Sequence, residues 1–325
     1  MSKKTWSGDE VDLVKSEVTL HGDSTETRKS LAKRLSRSKN SIRSKINDLK
    51  REGSLETVTD AKVFVFDIET STIVFRNFSP KVNGYIPHKN IIRDWFVISW
   101  AGRWLGKKEM LSDVLTPQEA KRSGNIYNNT LDDKRICQSL WDIFNEADIL
   151  VAHNGDNFDI KKMNYRFRMH GFRPPLPYKT FDTLKEHRKV FGATSNSLDF
   201  LLRQMKLRDE KIKTGWELWE ACENGDPEAL RKMDEYCRHD IELGEKLYLD
   251  ICKWSHNGNI NLYGDLKDVR CPVCGHGVDI LEHKKAVTSA NAYKTYRCRW
   301  KNCGHTGRTR QSTLDAAQRK NLLSP

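Results

Sequence analysis

The chain has 325 residues, with 56 Lys and Arg against 44 Asp and Glu and a formal net charge of +12. That length permits one domain of about 200 residues plus two small ones. The sequence shows no secretory signal, membrane span, internal repeat or long low-complexity tract. This argues against an exported disulfide scaffold, a membrane protein or a repeat array, and a reducing cytoplasmic setting is expected.

The charge is unevenly placed. Residues 54–254 carry 31 basic and 31 acidic groups, residues 1–53 carry 13 and 8, and residues 255–325 carry 12 and 5. The excess therefore lies in two flanks around a neutral centre, as expected if the flanks hold a phosphate backbone and the centre works through bound metal. Charged tails that only keep the chain in solution are the alternative. The expected organisation is a first module over residues 1–53, a main domain over 61–254, a small module over 265–312 and a tail over 313–325.

At the amino terminus Val11, Leu13 and Val14 mark a first helix. Ser24 can cap a second over residues 25–35, and Ser38 a third over 39–50 that ends at Gly53, with Leu31, Leu35, Ile42, Ile46 and Leu49 as apolar faces. Trp6 ahead of three short helices resembles the Myb-like and homeodomain-like helix-turn-helix domains. The resemblance implies that Arg37, Lys39, Asn40, Arg43, Ser44 and Lys45 decorate a recognition helix able to meet phosphates and base edges. A small bundle used for protein contacts is the competing reading.

Next comes Val63-Phe64-Val65-Phe66-Asp67-Ile68-Glu69-Thr70, an apolar run that ends in two carboxylates one residue apart. In a strand Asp67 and Glu69 share one face, and Phe64, Phe66 and Ile68 the other. A strand apolar on both faces belongs inside a covered sheet. Two acids are costly there unless a cation compensates, and a hard divalent metal is the natural one. A strand that frays into an acidic turn is the plainer alternative. The stretch from Phe75-Arg76-Asn77-Phe78 to Tyr85, with Lys81, can stack on a frayed nucleic-acid end or form an ordinary surface loop. Residues 95–104 read as a strand, 109–111 as a short edge strand, and 139–145 as part of a helix.

Ala147-Asp148-Ile149-Leu150-Val151-Ala152 reads as a second buried strand. It runs into His153-Asn154-Gly155-Asp156-Asn157-Phe158-Asp159 and a helix through Met169. Asp159 falls in that helix's first turn, where unpaired N–H groups favour its ionised form, and Asp156 competes with it. Ser195-Asn196-Ser197-Leu198-Asp199 reads as another helix start, and residues 206–219 as a border of a substrate channel. Asp226 and Pro227 then open a long helix to about residue 254, with an apolar stripe of Leu230, Met233, Cys237, Ile241, Gly244, Tyr248 and Ile251. Tyr236 and Asp240 lie one turn apart beside the stripe and face one site.

Asp67-x-Glu69, His153-Asn154-x-x-x-Phe158-Asp159 and Tyr236-x-x-x-Asp240 together resemble the three motifs of the DEDD, or DnaQ-like, 3′-to-5′ exonucleases. Tyr four residues before the last Asp is similar to the tyrosine branch, which includes the proofreading domains of many DNA polymerases. The histidine branch would carry His where Glu235 stands, so His239 is not expected to be a base. The resemblance covers residues 61–254. It implies an RNase H-like α/β fold, a mixed sheet with helices on both faces and a metal site at the ends of its central strands. It also implies that Asp67, Glu69, Asp159 and Asp240 hold two Mg²⁺ or Mn²⁺ ions, that Tyr236 orients the attacking water, and that Asn154 touches the nucleic acid.

Near the carboxyl terminus, Cys271-Pro272-Val273-Cys274-Gly275 and Cys298-Arg299-Trp300-Lys301-Asn302-Cys303-Gly304 form two cysteine pairs, each followed by Gly. The pattern resembles a zinc ribbon and implies one structural Zn²⁺ on Cys271, Cys274, Cys298 and Cys303. The wide second pair leaves room for His276, His283 or His305 to replace a thiolate, and disulfides are the competing reading. Cys137, Cys222, Cys237 and Cys252 are scattered and read as incidental thiols.

The expected function is a metal-dependent 3′-to-5′ exonuclease acting on nucleic acid, DNA in preference to RNA, flanked by modules that engage the substrate or tether the enzyme. By resemblance, its partners are a nucleic acid with a 3′ end and replication or repair proteins, in a bacterium or a phage-infected cell. A structure-specific endonuclease or ribonuclease is the enzymatic alternative. A binding protein with an inactive nuclease core is the non-enzymatic one, and the complete set of acids with Tyr236 argues against it.

Overall fold

The computed structural model describes residues 5–21, 23, 25–51, 61–78, 81, 84–127, 130–206, 215–257, 259–263, 269–300 and 302–322. The chain forms two compact units, one of Met1–Ala61 with Cys252–Pro325 and one of Lys62–Ile251.

The first unit opens with α1 (Gly8–His21), α2 (Thr25–Arg34) and α3 (Lys39–Arg51). Ser7 and Glu10 start α1 with a reciprocal capping box, Glu10 N–H on Ser7 Oγ at 3.2 Å and Ser7 N–H on Glu10 Oε2 at 3.0 Å. Ser38 Oγ accepts the Ser41 N–H at 3.1 Å and opens α3 as its sequence position predicts. The predicted caps at Ser24 and Gly53 lie outside the described residues. The second helix ends at Arg34 rather than 35. Ser36 turns left-handed at φ 48°, and the Arg37 N–H bonds back to Ala32 O at 3.1 Å, a Schellman ending made without glycine. Val14, Val18, Leu31, Ile42, Ile46 and Leu49 form the buried core of this bundle.

In the second unit, β1 (Val63–Thr70) is followed by β2 (Val74–Phe75), β3 (Ile91–Arg93), β4 (Val97–Trp104) and β5 (Leu111–Val114). Then come α4 (Pro117–Gly124), α5 (Lys134–Glu146), β6 (Ile149–Ala152), α6 (Asp159–Met169), β7 (Lys179–Asp182) and α7 (Thr183–Val190). The unit finishes with α8 (Leu198–Gln204), α9 (Trp216–Glu223) and α10 (Pro227–Ile251). The main sheet has the order β5-β4-β1-β6-β7, antiparallel from β5 to β1 and parallel from β1 to β7. This is a mixed sheet with β1 at its centre, as the apolar run predicts. Phe64, Phe66 and Ile68 are buried on one face, where Phe66 meets Phe144 of α5 edge-on at 5.2 Å. On the other face Cys237 and Ile241 of α10 pack with Ala101 of β4.

Several predicted boundaries move for local reasons. The edge strand expected at 109–111 runs instead over Leu111–Val114. Gly106 turns at φ 80° and Leu111 pairs with Gly102, which leaves Glu109 and Met110 in the connection. The strand expected from residue 95 starts at Val97, after the Asp94 carboxylate and Ser71 Oγ take the N–H groups of Trp95 and Phe96. The second buried strand starts at Ile149, because Asp148 is a joint whose carboxylate accepts the Lys62 N–H at 2.8 Å. Asp226 caps α10 by accepting the Ala229 N–H at 2.8 Å, and that helix stops at Ile251, short of residue 254. Ser197 caps α8. The short β2-β3 pair has no alternating signature. Phe78 and Tyr85, between these strands, are exposed.

The first unit resumes with β8 (Val278–Val287), β9 (Ala292–Cys298), β10 (Thr306–Ser312) and α11 (Ala316–Lys320), the strands forming an antiparallel sheet of order β10-β9-β8.

Candidate active site and metal centres

The carboxylates of Asp67 and Glu69 on β1 and of Asp240 on α10 offer ligand atoms that all lie within 4.8 Å of one another. Strand alternation turns the two β1 acids to the face on which α10 lies, with Cys237 Sγ 3.5 Å from the Asp67 carbonyl. Asp159, the first residue of α6 and 1% exposed, stands beside this group, and its Oδ1 accepts the Ile68 N–H at 3.2 Å. It thus binds the residue between the two β1 acids. Asp156, the competing acid, forms an ion pair with Lys185 at 3.1 Å.

The group is electrostatically frustrated without a cation. Burial, followed by the charges of Asp159, Glu69 and Asp240, holds Asp67 well above the ordinary carboxylate range, with the Ile68 N–H in opposition. Burial also pushes Asp159 up to about 7, against its hydrogen bonds and Lys162. Convergent hard oxygen donors that resist ionisation together are a donor set suited to divalent metal. The Tyr236 hydroxyl bonds Asp240; burial and then the Asp240 and Glu69 charges push its pKa upward, so the phenol keeps its proton. Trp219 packs edge-on against its ring at 6.3 Å. At the histidine-branch position, Glu235 is instead an exposed partner of Arg231.

A pH dependence follows. An acid whose folded pKa lies above its unfolded one makes the folded state the tighter proton binder, so stability falls as pH rises between the two values. For Asp159 that window runs from the ordinary 3.8 to about 7. Metal relieves the repulsion only where the acids are ionised. The rise in melting temperature on adding Mg²⁺ or Mn²⁺ is therefore expected to be larger at pH 8 than at pH 5.5, as read by differential scanning fluorimetry. An equal or smaller rise at pH 8 would count against the carboxylate cluster as the metal site.

Two residues near this site lie outside the three sequence motifs. Asp182, 4% exposed at the end of β7, accepts the N–H groups of Asn154 (3.0 Å), Asp156 (3.2 Å), Leu184 (3.0 Å) and Lys185 (3.2 Å). One carboxylate therefore caps α7 and fixes the loop leading to Asp159. In that loop Asn154 is left-handed at φ 66°, and a Cβ on Gly155 would stand 2.6 Å from Ala152 Cβ. The Asn154 side chain reaches Asn157 at 3.4 Å. His153 is held between Thr183 Oγ1 at 2.9 Å and the Asn196 carbonyl at 3.1 Å, and burial lowers its pKa. The second residue is Lys162, one turn beyond Asp159. Its Nζ donates to Thr70 Oγ1 at 2.9 Å and lies over the rings of Trp95 and Phe158 at 4.0 and 4.6 Å. An Asp after a short strand, with a helix start behind it, could have flagged Asp182; helical spacing from Asp159 could have flagged Lys162.

A third group, Asp133, Cys137 and His170, is already internally satisfied. The Asp133 carboxylate binds Arg166, His170 at 2.7 Å and the Val97 N–H at 2.9 Å, so a guanidinium holds the cation's place.

Of the residues expected on the recognition helix, Lys39, Asn40, Arg43 and Ser44 are exposed. Lys45 lies 6.0 Å over the Trp6 ring. Arg37 departs from the expectation. Its guanidinium takes Glu10 at 3.0 and 2.7 Å and the Thr5 carbonyl at 2.7 Å, lies 4.0 Å over Trp6, and leaves its side chain 5% exposed. It serves the bundle's own packing, because the charge that suits phosphate also suits the acid that α1 brings up.

The ligand sulfurs of Cys271, Cys274, Cys298 and Cys303 also lie within 4.8 Å of one another, and all four residues are buried. The 271–303 and 274–298 separations are 3.9 and 3.5 Å. A disulfide needs about 2.05 Å. Tetrahedral zinc with bonds of about 2.3 Å places sulfurs about 3.8 Å apart. Gly275 and Gly304 turn at φ 70° and 61° behind the second cysteine of each pair. His276 and His305 bond the carbonyls of Cys274 and Lys253 at 2.9 and 2.8 Å, and neither joins the sulfur group.

Among the described residues no helix is long and apolar enough to cross a membrane. Over 252 residues, 72% of its length, the chain is 29% identical to a DNA polymerase III of PolC type from Ureaplasma parvum, and it spans 16% of that protein's length. A family B DNA polymerase from the hyperthermophilic archaeon Pyrobaculum calidifontis overlaps 60% of this chain and 25% of its own at 16% identity, with a TM-score of 0.40. Residues 111–251, which include Asp159, Tyr236 and Asp240, match the family model RNase_H_2, so this stretch of the chain is an RNase_H superfamily domain.

Proposed function

We propose that the chain is a metal-dependent 3′-to-5′ exonuclease of the tyrosine-type DEDD group, acting on DNA in preference to RNA. The observation that carries this reading is the convergence of Asp67, Glu69 and Asp240 within 4.8 Å, with Asp159 buried beside them and Tyr236 on Asp240. The RNase_H superfamily match over residues 111–251 and the similarity to a PolC-type polymerase support it. Asp67, Glu69, Asp159 and Asp240 would hold two Mg²⁺ or Mn²⁺ ions, which when bound supply an activated water and neutralise charge on the departing 3′ oxygen. Asp159 fixes the β1 acids through the Ile68 N–H, and Asp182 fixes Asp159 by pinning the loop before it. Tyr236 Oη, which keeps its proton, orients water against Asp240 rather than deprotonating it. Cys271, Cys274, Cys298 and Cys303 would hold one structural Zn²⁺. The chain would serve replication or repair in the cytoplasm of a bacterium or a phage-infected cell.

Digestion of 5′-labelled and 3′-labelled DNA and RNA, with a circular control, tests the reading. Expected are stepwise shortening of a 5′-labelled strand, immediate loss of a 3′ label, faster turnover on DNA and an intact circle. Cleavage of the circle would support an endonuclease instead, and no metal-dependent cleavage of any substrate would leave the binding protein. Tyr236→Phe keeps the ring on Trp219 and deletes the hydroxyl. It should lower turnover about 10²-fold or more while the metal-induced rise in melting temperature persists, and a wild-type rate would reassign the residue to packing.

A further inference from the structure

The first unit contains a cleft of about 220 Å³ whose walls come from both of its modules. Arg28 of α2 and Arg43 of α3 line it from the helical bundle, and Arg270 and Arg299 line it from the cysteine module, with Asp23 and Thr25 at the same walls. We propose that this cleft binds a phosphodiester backbone, so that the helical bundle and the zinc ribbon grip one nucleic-acid strand as a single composite site.

Four guanidiniums meet one carboxylate in this lining, and the carboxylate is already engaged, since Asp23 Oδ1 accepts from Arg28 Nε at 2.5 Å. Arg299 Nε is likewise anchored on Asp279 at 2.6 Å, in an exposed pair that water screens. Arg28 Nη2 also donates to the Asp23 carbonyl at 3.4 Å, whereas in Arg299 Nε is the anchored atom and the outer NH₂ edge is the one suited to a two-oxygen acceptor. Thr25 is the first residue of α2, so a helix amino terminus adds its favourable field for an anion. Arg270 and Arg299 sit next to Cys271 and Cys298, which makes the sulfur cluster their scaffold. The inference rests on the reading of the chain as acting on nucleic acid, but not on its catalysis. It also gives the charged flanks a shared purpose, and it keeps Arg43 of the expected recognition helix while adding arginines far apart in sequence.

The test measures anisotropy of a fluorescent single-stranded DNA 20-mer over a range of salt, with the full-length chain carrying Asp240→Ala so that the probe stays whole. Arg43→Gln and Arg299→Gln should each weaken binding about tenfold or more. The double variant should fall short of the product of the two, because both arginines serve the same phosphates. The slope of log affinity against log salt should drop by about 0.7 for each phosphate no longer held. Arg43→Lys should keep most of that slope, which separates charge from folding. Inorganic phosphate at matched ionic strength should not displace the strand. Wild-type affinity in both glutamine variants would overturn the proposal, as would displacement by inorganic phosphate or equally tight binding of an acidic peptide at the same arginines. Digestion is followed in parallel on the same variants with Asp240 restored. If no variant digests DNA yet affinity follows the arginines, the cleft stands and the exonuclease reading falls; if DNA is digested while affinity is indifferent to the arginines, the exonuclease reading stands and the cleft falls.

Discussion

Asp67→Ala and Asp240→Ala are each expected to lower hydrolysis of single-stranded DNA by on the order of 10²- to 10³-fold or more without unfolding the chain. Both carboxylates lie in the group whose ligand atoms come within 4.8 Å, and mutual repulsion helps raise the pKa of Asp67. Removing one relieves that repulsion in the metal-free fold, so neither variant should melt below the wild type at neutral pH in chelator. The loss should appear instead in the response to metal. Mg²⁺ or Mn²⁺ should raise the melting temperature of the wild type and leave both variants nearly unmoved. The double variant should be little worse than either single one, because groups that act as a unit lose their joint effect at the first removal. Robust cleavage by Asp67→Ala in excess chelator would sink the metal mechanism.

Much of this site was legible because strand and helix periods fix side-chain direction. The alternation in β1 puts Asp67 and Glu69 on one face, and the four-residue spacing in α10 puts Tyr236 beside Asp240. Both placements need only local geometry. Only the helix-capping role of Asp182 was legible, because two of its four N–H donors, those of Asn154 and Asp156, come from a segment that the fold brings to it. The Arg93–Glu223 pair is buried for the same reason and carries no local pattern. Sheet order was likewise beyond reach, since the antiparallel β1-β4-β5 edge and the parallel β1-β6-β7 edge follow from which faces are covered. Arg37 shows the opposite hazard. A basic residue in a basic module reads as a ligand contact until the structure shows Glu10 and Trp6 around it.

Cys274→Ser is expected to take zinc from one ion per chain to none and to unfold the β8-β9-β10 sheet while exonuclease activity on a short saturating strand survives. The buried core of that module consists of Cys271, Cys274, Cys298, Cys303 and Val278, with Val273, Tyr296 and Trp300 packed partly against it. Among the described residues, four of the five in this buried apolar cluster are thus the proposed ligands. Without the ion little apolar surface remains to offset the cost of ordering the chain. Structural zinc in small zinc-finger peptides contributes about 10–16 kcal/mol, far more than such a core could replace. The stacking of Trp300 on His276, with ring centroids 4.5 Å apart, offers a readout, because near-ultraviolet dichroism from that tryptophan should collapse with the metal. Activity should persist because Asp67, Glu69, Asp159, Tyr236 and Asp240 all belong to the unit of Lys62–Ile251. Affinity for a longer strand should fall, since the serine variant also releases Arg270 and Arg299 from the scaffold that aims them. Stoichiometric zinc with an intact Trp300 signal in the serine variant would overturn the tetrathiolate assignment. A fully ordered module after gentle chelation of the reduced wild type would show that the sulfurs pack the fold without a metal.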